Sequence, residues 1–598
     1  MSLLTQLYRG GWLRTVDHAL AESLRHARAD TPDAVLAAAA LASRAIGQGH
    51  SCLPLAQVQE LLLDIAGDRE PPALPATEDW LALLHASPWV AAATGQDDDG
   101  CVLALEHGAL ALRRYHDYEA RLANALLART ASIDPTPDRA SNAADHRARQ
   151  EARIAQLFPE AADGPQAAAA RAALGQRLLL LTGGPGTGKT STVARILVLF
   201  AEQLLSRNTD AAVAPRIFLA APTGKAAARL AESVRENLAR LLAEKSIDPS
   251  LAAALPSQAQ TLHRLLGWQS GSAEFKHSAG NPLPADLVVV DEASMIDLPL
   301  MCKLLEAVAP QATLVLIGDR DQLPSVETGD VLAALCDAAT AASNPGHALA
   351  RQRIHLTHTH RQAGDVDVAA LAACIRDGHG DDAVAGLDAG RFRGVHWHPG
   401  SDRKLAEAVL AQALPAYRAM QSADTVEAAL AAARAFRVLT AVRDGAAGSQ
   451  TLNAIIARAL DPARRGEGFF HGRLLLVTEN SYRHNLFNGD IGIVWPDERH
   501  ELRVWFDGDG GPRSWLTAAL PAHESAFALT VHKSQGSEFD QVFLALPERG
   551  ARVISRELLY TGLTRCRRGV ALWASEPVLR EGIARKAQRW SGLGARLA

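Results

Sequence analysis

The sequence predicts an α/β protein in which an all-helical N-terminal domain precedes two α/β domains, each with a largely parallel sheet. Two observations indicate the α/β domains: short apolar runs alternate with helical segments from residue 177 onward, and a second such set begins near residue 436. The third observation is that leucine- and alanine-rich stretches recur at helical spacing before residue 130. Since 48% of the 598 residues are hydrophobic and 21% are charged, the chain can bury several cores, which excludes wholesale disorder.

The helical N-terminal domain is expected to span residues 1–132. One predicted helix face is carried by apolar residues at three- and four-residue spacing, namely Leu13, Val16, Leu20 and Leu24. Residues 1–150 contain 13 arginines, no lysine and 19 Asp or Glu residues, and this net charge of −6 does not suit a DNA-binding arm. Such an apolar face either closes on itself as a cap or docks on another protein. We favour partner docking.

A linker is expected at residues 133–150, because residues 133–145 (IDPTPDRASNAAD) are rich in Pro, Ser, Asn and Asp. The first α/β domain then covers residues 151–345 and the second covers residues 346–598. Their predicted strands are continuous apolar runs, as in parallel sheets covered on both faces. These strands fall at residues 178–182, 217–221, 287–290 and 313–318, and then at residues 436–441, 542–546 and 569–574.

A different sequence pattern interrupts the second α/β domain at about residues 472–522. Strand-like runs (LLLVTEN, IGIVWPD, ELRVWFDG) alternate there with Gly, Asn and Asp turns. This alternation predicts a small antiparallel barrel or meander inserted into the domain.

Composition also excludes several classes of protein. The six cysteines lie far apart without a C-x-x-C pair, which argues against a zinc ribbon, an iron–sulfur cluster or a disulfide framework. Apolar runs stay short of the roughly 18–20 residues that a bilayer crossing needs, and the N-terminus lacks the pattern of a signal peptide. We therefore expect a cytoplasmic protein.

A glycine-rich loop directly follows the first predicted strand and precedes a helix that starts near Ser191. It has the form G-x-x-x-x-G-K-T: Gly183, Gly184, Pro185, Gly186, Thr187, Gly188, Lys189 and Thr190. In such a loop the backbone N–H groups surround the α- and β-phosphates, Lys189 reaches the β- and γ-phosphates, and the Thr190 hydroxyl is a Mg²⁺ ligand. The loop therefore predicts a nucleoside-triphosphate site, with Ser191 at its edge.

Two carboxylates end the predicted strand at 287–290. Asp291 is expected to hold Mg²⁺ through water, and Glu292 to orient and deprotonate the attacking water. After the strand at 313–318, Gln322 is placed to contact both the γ-phosphate and that water. Arg361 and Arg565 are candidate arginine fingers, although either one alone is more often part of a surface ion pair.

Other side chains have a functional and a plain structural interpretation. His355, His358 and His360 suggest a metal, but a packed or solvated strand fits better, since acidic and cysteine partners at ligand spacing are missing from the sequence. Four aromatic residues could stack on bases or belong to the core, and the core is favoured: Trp268, Trp495, Trp505 and Phe487.

Three clusters combine hydroxyl groups with cationic side chains, a chemistry that suits the phosphates of single-stranded nucleic acid. A helix N-cap is the plain alternative for each threonine. The candidate DNA-binding residues are Thr223, Gly224, Lys225, Thr261, His263, Thr530, His532, Lys533 and Ser534.

Ten short blocks follow one another in order over about residues 165–575: GGPGTGKT, APTGKAAARL, TLHRLLG, DEASMID, GDRDQLPSVETG, HRQ, VLTAVRDGAAG, LFNGDIG, FALTVHKSQGSEFDQV and LLYTGLTRCRRG. This set resembles superfamily 1 helicases, and within them the RecD family, the alpha subunits of exodeoxyribonuclease V (RecBCD). The resemblance implies two RecA-like P-loop motor domains that bind ATP between them, with Arg361 and Arg565 supplied by the second.

The same resemblance implies further roles. Gln166 would read the adenine, Glu538 would lie near the nucleotide sugar, and the insertion would be an SH3-like subdomain. Translocation would run 5′→3′ on DNA, and the partners would be RecB- and RecC-like subunits in a heterotrimer that unwinds DNA ends for repair by homologous recombination. A nuclease site within this chain is not expected.

Two alternatives remain open. A non-unwinding P-loop regulatory subunit would need neither a general base nor arginine fingers. A stand-alone 5′→3′ helicase of the RecD2 type would carry helix–hairpin–helix repeats, whose G-x-G pairs are missing from residues 1–150. The complex subunit is therefore favoured.

Overall fold

The architecture is that of a computed structural model, which describes most of the chain in consecutive segments. They are residues 1–66, 69–91, 100–130, 143–159, 162–207, 214–269, 271–272, 274–340, 348–357, 366–463, 466, 468–481, 483–508, 511–549 and 551–597.

The N-terminal region is mainly helical, as expected, and also contains a small sheet with the order β1-β4-β3-β2. The sequence did not predict this sheet, because its longest strands (LALE and ALAL) consist of Ala and Leu, which do not favour strands. The elements are α1 (Leu3–Arg9), α2 (Thr15–Ala27), α3 (Asp33–Ile46), β1 (Leu53–Pro54), α4 (Val58–Ala66), α5 (Thr77–His85), β2 (Val90–Ala91), β3 (Leu103–Glu106), β4 (Ala109–Leu112) and α6 (Arg113–Thr130).

The predicted apolar face of α2 is divided between the core and the surface. Leu24 is buried, but Val16 is 60% exposed. Asp17 takes the inward position instead, where Arg14 pairs with it at 2.7 Å and the Ser43 hydroxyl donates to it, also at 2.7 Å. A buried carboxylate with two such partners is satisfied, so the inward face of this helix tolerates a charge that a periodicity argument assigns to solvent.

The first α/β domain is built on six parallel strands in the order β10-β5-β9-β8-β6-β7. Its elements are α7 (Ala143–Leu157), α8 (Pro165–Gly175), β5 (Leu178–Gly183), α9 (Lys189–Arg207), β6 (Ile217–Ala221), α10 (Gly224–Ala243), α11 (Pro249–Ala254), β7 (Gln260–Thr261), α12 (Leu262–Leu266), β8 (Leu287–Val290), α13 (Leu298–Ala307), β9 (Thr313–Gly318), α14 (Val331–Thr340) and β10 (Arg353–Leu356). β5, β8 and β9 are buried along their whole length, as their continuous apolar sequences predict.

Two observations differ from the expected domain limits. β10 pairs in parallel with β5, so the first sheet continues past residue 345. Residues 143–150, assigned to a linker, form the first half of α7. Their alanine and arginine content favours a helix, and this outweighs the composition signal of the preceding residues.

The second α/β domain contains a parallel sheet of order β11-β20-β19-β12-β18 and a separate antiparallel sheet of order β16-β15-β14-β13-β17. The elements are α15 (Val368–Asp377), α16 (Gly380–Asp388), β11 (Val395–His398), α17 (Asp402–Gln421), α18 (Val426–Ala433), β12 (Phe436–Thr440), α19 (Ser449–Leu460), β13 (Leu474–Val477), β14 (Ile491–Pro496), β15 (Leu502–Phe506), β16 (Arg513–Leu516), β17 (His523–Ser525), β18 (Ala528–Thr530), β19 (Phe539–Ala545), α20 (Arg556–Leu563), β20 (Cys566–Trp573), α21 (Glu576–Ala584) and α22 (Leu593–Leu597). The antiparallel sheet lies where the insertion was predicted; its SH3-like character stays a prediction.

The N-terminal region is joined to the first sheet through α6. Leu122 and Leu126 of this helix are fully buried in the same apolar cluster as α13. Arg129 is buried as well and donates to backbone carbonyls around the end of α13, among them Ala312 at 3.1 Å and Val308. α6 therefore belongs to the core of the first α/β domain, although it precedes the expected linker.

The end of the chain returns to this junction, since α22 packs against α6 and α14. The Trp590 ring stacks on His50 with centroids 4.1 Å apart, and Ser51 N donates to the Trp590 carbonyl at 2.9 Å. None of the helices in the described ranges combines the length and the apolar character that a membrane crossing requires.

Candidate nucleotide site and nucleic-acid interface

The glycine-rich loop connects β5 to α9, in the strand–loop–helix context that was expected. Gly186 and Gly188 have φ values of 76° and 83°, which residues with a Cβ rarely adopt. Lys189 Nζ donates to the carbonyls of Gly183 at 2.6 Å and Gly184 at 2.9 Å. The ammonium group is thus directed into the concave side of the loop, where a phosphate chain would lie.

Two predicted residues flank this loop. Gln166, at the start of α8, donates from Nε2 to the Thr187 carbonyl at 3.4 Å. Ser191, in the first turn of α9, has its hydroxyl in contact with the guanidinium of Arg195. Both residues lie beside the loop, although Gln166 belongs to α8 and Ser191 belongs to α9.

The two carboxylates stand where β8 ends. Glu292 has φ 52° and ψ 43°, a left-handed conformation that is strained for a residue with a Cβ, and its N–H donates to Asp291 Oδ1 at 2.8 Å. Burial, and then the neighbouring Glu292 carboxylate, raise the pKa of Asp291 above its ordinary value. Strain and a perturbed pKa at one strand end are features that functional sites share.

A buried polar network joins the two α/β domains beside these carboxylates. The Arg565 guanidinium donates to Gln322 Oε1 at 2.8 Å, and the Tyr560 hydroxyl donates to Asp319 Oδ2 at 3.0 Å. The backbone N–H of Leu323 donates to Thr561 Oγ1 at 2.8 Å. The segment after β9 is therefore held by α20 and the residues that follow it.

Tyr560 also lies against the glycine-rich loop, since a Cβ built on Gly184 would be only 3.0 Å from its hydroxyl. Burial and Asp319 raise the pKa of this tyrosine well above its ordinary value. The phenol therefore stays protonated and acts as a hydrogen-bond donor. The cleft between the two parallel sheets thus contains the loop, both carboxylates, Gln322 and Arg565.

The remaining nucleotide-site predictions have different outcomes. Glu538 lies in this cleft, where Arg229 Nη2 contacts its Oε1 at 2.8 Å and Arg567 Nε contacts its Oε2 at 3.0 Å. Arg361 lies outside the described residues, together with His358 and His360. Within the described part of the chain, three or more His, Cys, Asp or Glu side chains nowhere group as a metal site would require.

The candidate nucleic-acid residues follow strands at one side of each parallel sheet. Thr223 follows β6 and Thr261 ends β7, and these strands pair in parallel at the edge of the first sheet. Thr530 ends β18, the edge strand of the second sheet. Because carboxyl ends of parallel strands share one rim, the three threonines lie at the rims that carry the nucleotide-site residues, displaced toward the edges.

Each threonine also has the plain role that the sequence allowed. Thr223 Oγ1 accepts a hydrogen bond from Ala226 N at 3.2 Å, and Thr261 Oγ1 accepts one from Arg264 N at 3.3 Å, so both are helix N-caps. Thr530 Oγ1 accepts from Lys533 N at 3.4 Å. Capping fixes the hydroxyl groups at the helix N-termini, where backbone N–H groups favour anions.

The cationic candidates sit in unlike surroundings. Burial, and then Arg437, lower the pKa of Lys225 to about 7. Burial also lowers the pKa of His263 and of His532, so both imidazoles favour the neutral form. Lys533 pairs with Glu524 at 2.6 Å in a partly exposed position.

Two further candidates face protein groups. Ser534 is fully buried, and its hydroxyl donates to the Val531 carbonyl at 2.7 Å, so this side chain is turned away from the surface. Gly224 is covered by Phe487 of the insertion, since a Cβ at Gly224 would meet the Phe487 ring and Cβ at 3.0–3.3 Å. Contact between the insertion and α10 was not foreseen.

The aromatic candidates divide between core and surface. Trp495 is 7% exposed and packs on His471, and Trp505 donates from Nε1 to the Trp495 carbonyl at 3.1 Å. Trp268 is 48% exposed. His355 forms a hydrogen bond with Thr182 Oγ1 at 3.0 Å, as expected for a side chain on a strand.

Three residues that bridge the two α/β domains were not foreseen from the sequence: Arg229, Tyr560 and Gln535. Gln535 Nε2 donates to the Leu323 carbonyl at 3.0 Å. All three lie inside recognised sequence blocks, but their partners are distant in the sequence. The only available signal was that Arg229 follows Lys225 by one helical turn and so shares its face of α10.

Comparisons with known proteins agree with this arrangement. Family models match three segments: "AAA domain" at residues 166–328, "RecBCD enzyme subunit RecD, N-terminal domain" at residues 9–110 and "UvrD-like helicase C-terminal domain" at residues 525–573. Together with the two parallel sheets and the cleft between them, these matches define an ATP-dependent DNA helicase of superfamily 1.

Individual relatives show which family of helicases this chain belongs to. The RecBCD enzyme subunit RecD of Mycobacterium tuberculosis is 39% identical over 98% of this chain and 96% of its own length, and that of Mycolicibacterium smegmatis is 40% identical over 95% of each. The ATP-dependent RecD2 DNA helicase of Deinococcus radiodurans is 32% identical over 90% of this chain but 65% of its own length. The chain belongs to the RecD family.

Proposed function

We propose that this protein is the 5′→3′ motor of a helicase–nuclease complex, in which it unwinds DNA ends together with RecB- and RecC-like subunits for repair by homologous recombination. The observation that carries the proposal is the contact of Arg565 with Gln322 across the cleft, in the same network as Tyr560, which lies against the glycine-rich loop. An arginine from one motor domain that reaches the nucleotide side of the other is what hydrolysis between two RecA-like domains requires.

Each cleft residue then has a role in ATP turnover. Lys189 and the loop amides bind the phosphates, and Glu292 takes the proton of the attacking water. Gln322 orients that water, while Arg565 and Arg361 stabilise the charge that develops on the transferred phosphoryl group. Glu538 binds the sugar, and Gln166 binds the adenine edge.

The donor set suits a divalent cation. Thr190 supplies a hydroxyl and Asp291 a carboxylate, and hard oxygen ligands of this kind are the ones that Mg²⁺ prefers. When bound, Mg²⁺ would neutralise phosphate charge. The raised pKa of Asp291 fits a site that is stabilised by a cation, because burial and the Glu292 carboxylate both disfavour its negative charge.

DNA would lie across the edges of both parallel sheets. Thr223, Lys225 and Thr261 contact the backbone from the first motor, and Thr530 and Lys533 contact it from the second. Phosphate contacts of this kind hold any sequence, and their strength falls with rising salt. Closing and opening of the cleft during ATP turnover then moves one set of contacts relative to the other along the strand.

The N-terminal region is proposed to dock on a partner subunit. It exposes apolar side chains, including Val16 at 60%, Leu63 at 41% and Leu83 at 38%. Apolar residues form the centres of stable protein interfaces. Double substitution of Val16 and Leu83 by Asp is expected to abolish co-purification with the partner subunits while DNA-stimulated ATPase activity persists.

A RecD2-type helicase that works alone is the second candidate, and the 32% identity to the Deinococcus radiodurans protein favours it. The two candidates differ in what they need for activity. The stand-alone candidate requires efficient unwinding by the isolated chain, whereas the complex subunit requires full activity only after the partners have been added.

The test is unwinding of a labelled duplex that carries a single-stranded tail at either end, with the isolated chain and with the purified complex. Activity on the 5′-tailed substrate that requires ATP and is lost in Lys189→Ala supports the proposal. Unwinding that starts only from a 3′ tail would show that the polarity is wrong.

A further inference from the structure

Arg229 connects the nucleic-acid side of the first motor to the nucleotide side of the second. It follows Lys225 by four residues on α10, which is about 6 Å along the helix at 1.5 Å per residue. Its guanidinium contacts the second motor: Nη2 lies 2.8 Å from Glu538 Oε1, and Nη1 donates to the Gly536 carbonyl at 3.0 Å.

A segment of the second motor, residues 530–538, also carries candidate DNA-binding residues together with a nucleotide-site residue. Its first part carries Thr530 and Lys533, and its last residue, Glu538, lies in the nucleotide cleft. Gly536, between the two parts, has φ +71° and packs on α10, because a Cβ at Gly536 would be only 3.5 Å from Ala226 Cβ. The backbone of the second motor thus lies against the first turn of α10.

The Arg229–Glu538 pair is shielded from solvent more than an ordinary surface pair. The Glu538 side chain is 10% exposed and that of Arg229 is 33% exposed. Arg567 contacts the second carboxylate oxygen of Glu538 at 3.0 Å, which fixes the orientation of the carboxylate. Because a buried charge is costly without its partner, the segment and the helix are held together when either one moves.

Arg229 is also close to the catalytic carboxylates. Burial alone would lower the pKa of this arginine, but Glu538, and also Glu292 and Asp291, raise it above its ordinary value. A displacement of α10 by bound DNA therefore changes the position of a positive charge relative to the nucleotide site.

We infer that Arg229 is a positioning residue that couples DNA binding to nucleotide binding, through its contacts with Glu538 and the Gly536 carbonyl. The inference rests on the proposed function, since it assigns DNA to one end of α10 and ATP to the cleft. Lys225 and Arg229 lie one turn apart near the start of α10, and the 530–538 segment likewise runs from Thr530 to Glu538. Arg229 makes the helix and the segment move as one unit.

The test measures the dissociation constant of a fluorescent oligo-dT strand with and without a non-hydrolysable ATP analogue. In the wild-type full-length protein the ratio of the two constants is expected to differ from one by about 5- to 150-fold, the usual range of coupling between sites. In Arg229→Gln the ratio should fall to within about twofold of one, while DNA affinity without nucleotide is retained. Arg240→Gln, an exposed arginine on the last turn of α10, should keep the wild-type ratio.

Arg229→Lys is the second variant, because it keeps a positive charge beside Glu538. If Arg229→Gln melts at a lower temperature than the wild type, Arg229→Lys distinguishes a loss of coupling from a loss of stability. A lysine cannot contact both acceptors with one planar group, so its ratio should lie at least about threefold closer to one than the wild-type ratio. A wild-type ratio in both variants, or a loss of nucleotide-free DNA binding in Arg229→Gln, overturns the coupling role. Absence of DNA-stimulated hydrolysis in the wild type would instead refute the proposed function.

Discussion

The Gln322 side-chain oxygen accepts a hydrogen bond from the Arg565 guanidinium at 2.8 Å, although 243 positions separate the two residues. Gln322 follows a strand of the first parallel sheet and Arg565 follows a helix of the second domain. Both are at most 5% exposed. This buried hydrogen bond joins the two domains at the segment after β9, in the same network as Tyr560, which lies against the glycine-rich loop.

Replacement of Arg565 by lysine should reduce the kcat of DNA-stimulated ATP hydrolysis by about 10³-fold, the effect typical of an arginine finger. Lysine keeps the charge but loses the planar fork that reaches both Gln322 and a phosphate oxygen. Steady-state hydrolysis with saturating oligo-dT measures this. Arg568→Lys, an exposed arginine three positions further on, serves as the control and should remain active.

Tyr560→Phe should destabilise the contact between the motor domains. Removal of the hydroxyl leaves the buried Asp319 carboxylate with one donor fewer, a loss of about 1–3 kcal/mol in the free energy of unfolding. Thermal denaturation checks this prediction, with Tyr8→Phe, a partly exposed tyrosine, as the control. Equal melting temperatures for Tyr560→Phe and the wild type would contradict it.

The sequence predicted the parts of the site that one local segment creates. The loop from Gly183 to Thr190 requires its own strand and helix, and Asp291 and Glu292 require only a buried strand before them. Arg229 and Tyr560 escaped prediction because their roles depend on partners in another domain. The periodicity that grouped Val16 with Leu24 on one helix face likewise could not foresee the ion pair that turns Asp17 inward.

The fold likewise contains elements that the local sequence predicts and elements that it does not. Continuous apolar runs predicted the central parallel strands, because burial on both faces leaves a clear signal. β3 and β4 were missed, since sequences of Ala and Leu carry no strand signal. The sequence also did not show that α6 belongs to the first motor, because Arg129 and its backbone acceptors, such as the Ala312 carbonyl, lie far apart in the sequence.

The depressed pKa of Lys225 predicts that DNA binding weakens as the pH rises. Burial and Arg437 hold this pKa at about 7 in the free protein, so the ammonium is protonated below that value and loses its charge above it. DNA phosphate binds the charged form, so oligo-dT affinity should be higher at about pH 6 than at about pH 8. Lys225→Arg, which stays charged, should remove most of this difference; an unchanged pH dependence in that variant would contradict the assignment.

The same shift makes a prediction for stability. Because the folded-state pKa lies below the unfolded-state value, the unfolded protein binds more protons between about pH 7 and 10, and this residue's contribution to stability rises with pH in that window. The free energy of unfolding of the wild type should therefore increase relative to that of Lys225→Met as the pH is raised from about 7 to 10. Chemical denaturation at several pH values measures it, and a constant difference would refute the burial of a charged ammonium.

Leu122→Ala should destabilise the first motor domain even though this residue precedes the expected linker. Leu122 is fully buried in the core that α6 shares with α13, so a cavity there should lower the free energy of unfolding by about 2–5 kcal/mol. Leu205→Ala, at a site that is 44% exposed, should cost much less in the same denaturation experiment. Similar losses in the two variants would mean that α6 is not part of this core.

Under the proposed function, ATP hydrolysis at the cleft, with Glu292 as the base, drives the protein along DNA. The most direct measurement is the single-turnover rate of ATP hydrolysis with saturating oligo-dT, in wild type, in Glu292→Gln and in Glu232→Gln, an exposed glutamate on α10. We expect Glu292→Gln to bind ATP as the wild type does but to hydrolyse it about 10²–10⁴-fold more slowly, the usual contribution of a general base, while Glu232→Gln should be unaffected. Hydrolysis by Glu292→Gln at the wild-type rate would show that Glu292 is not the base.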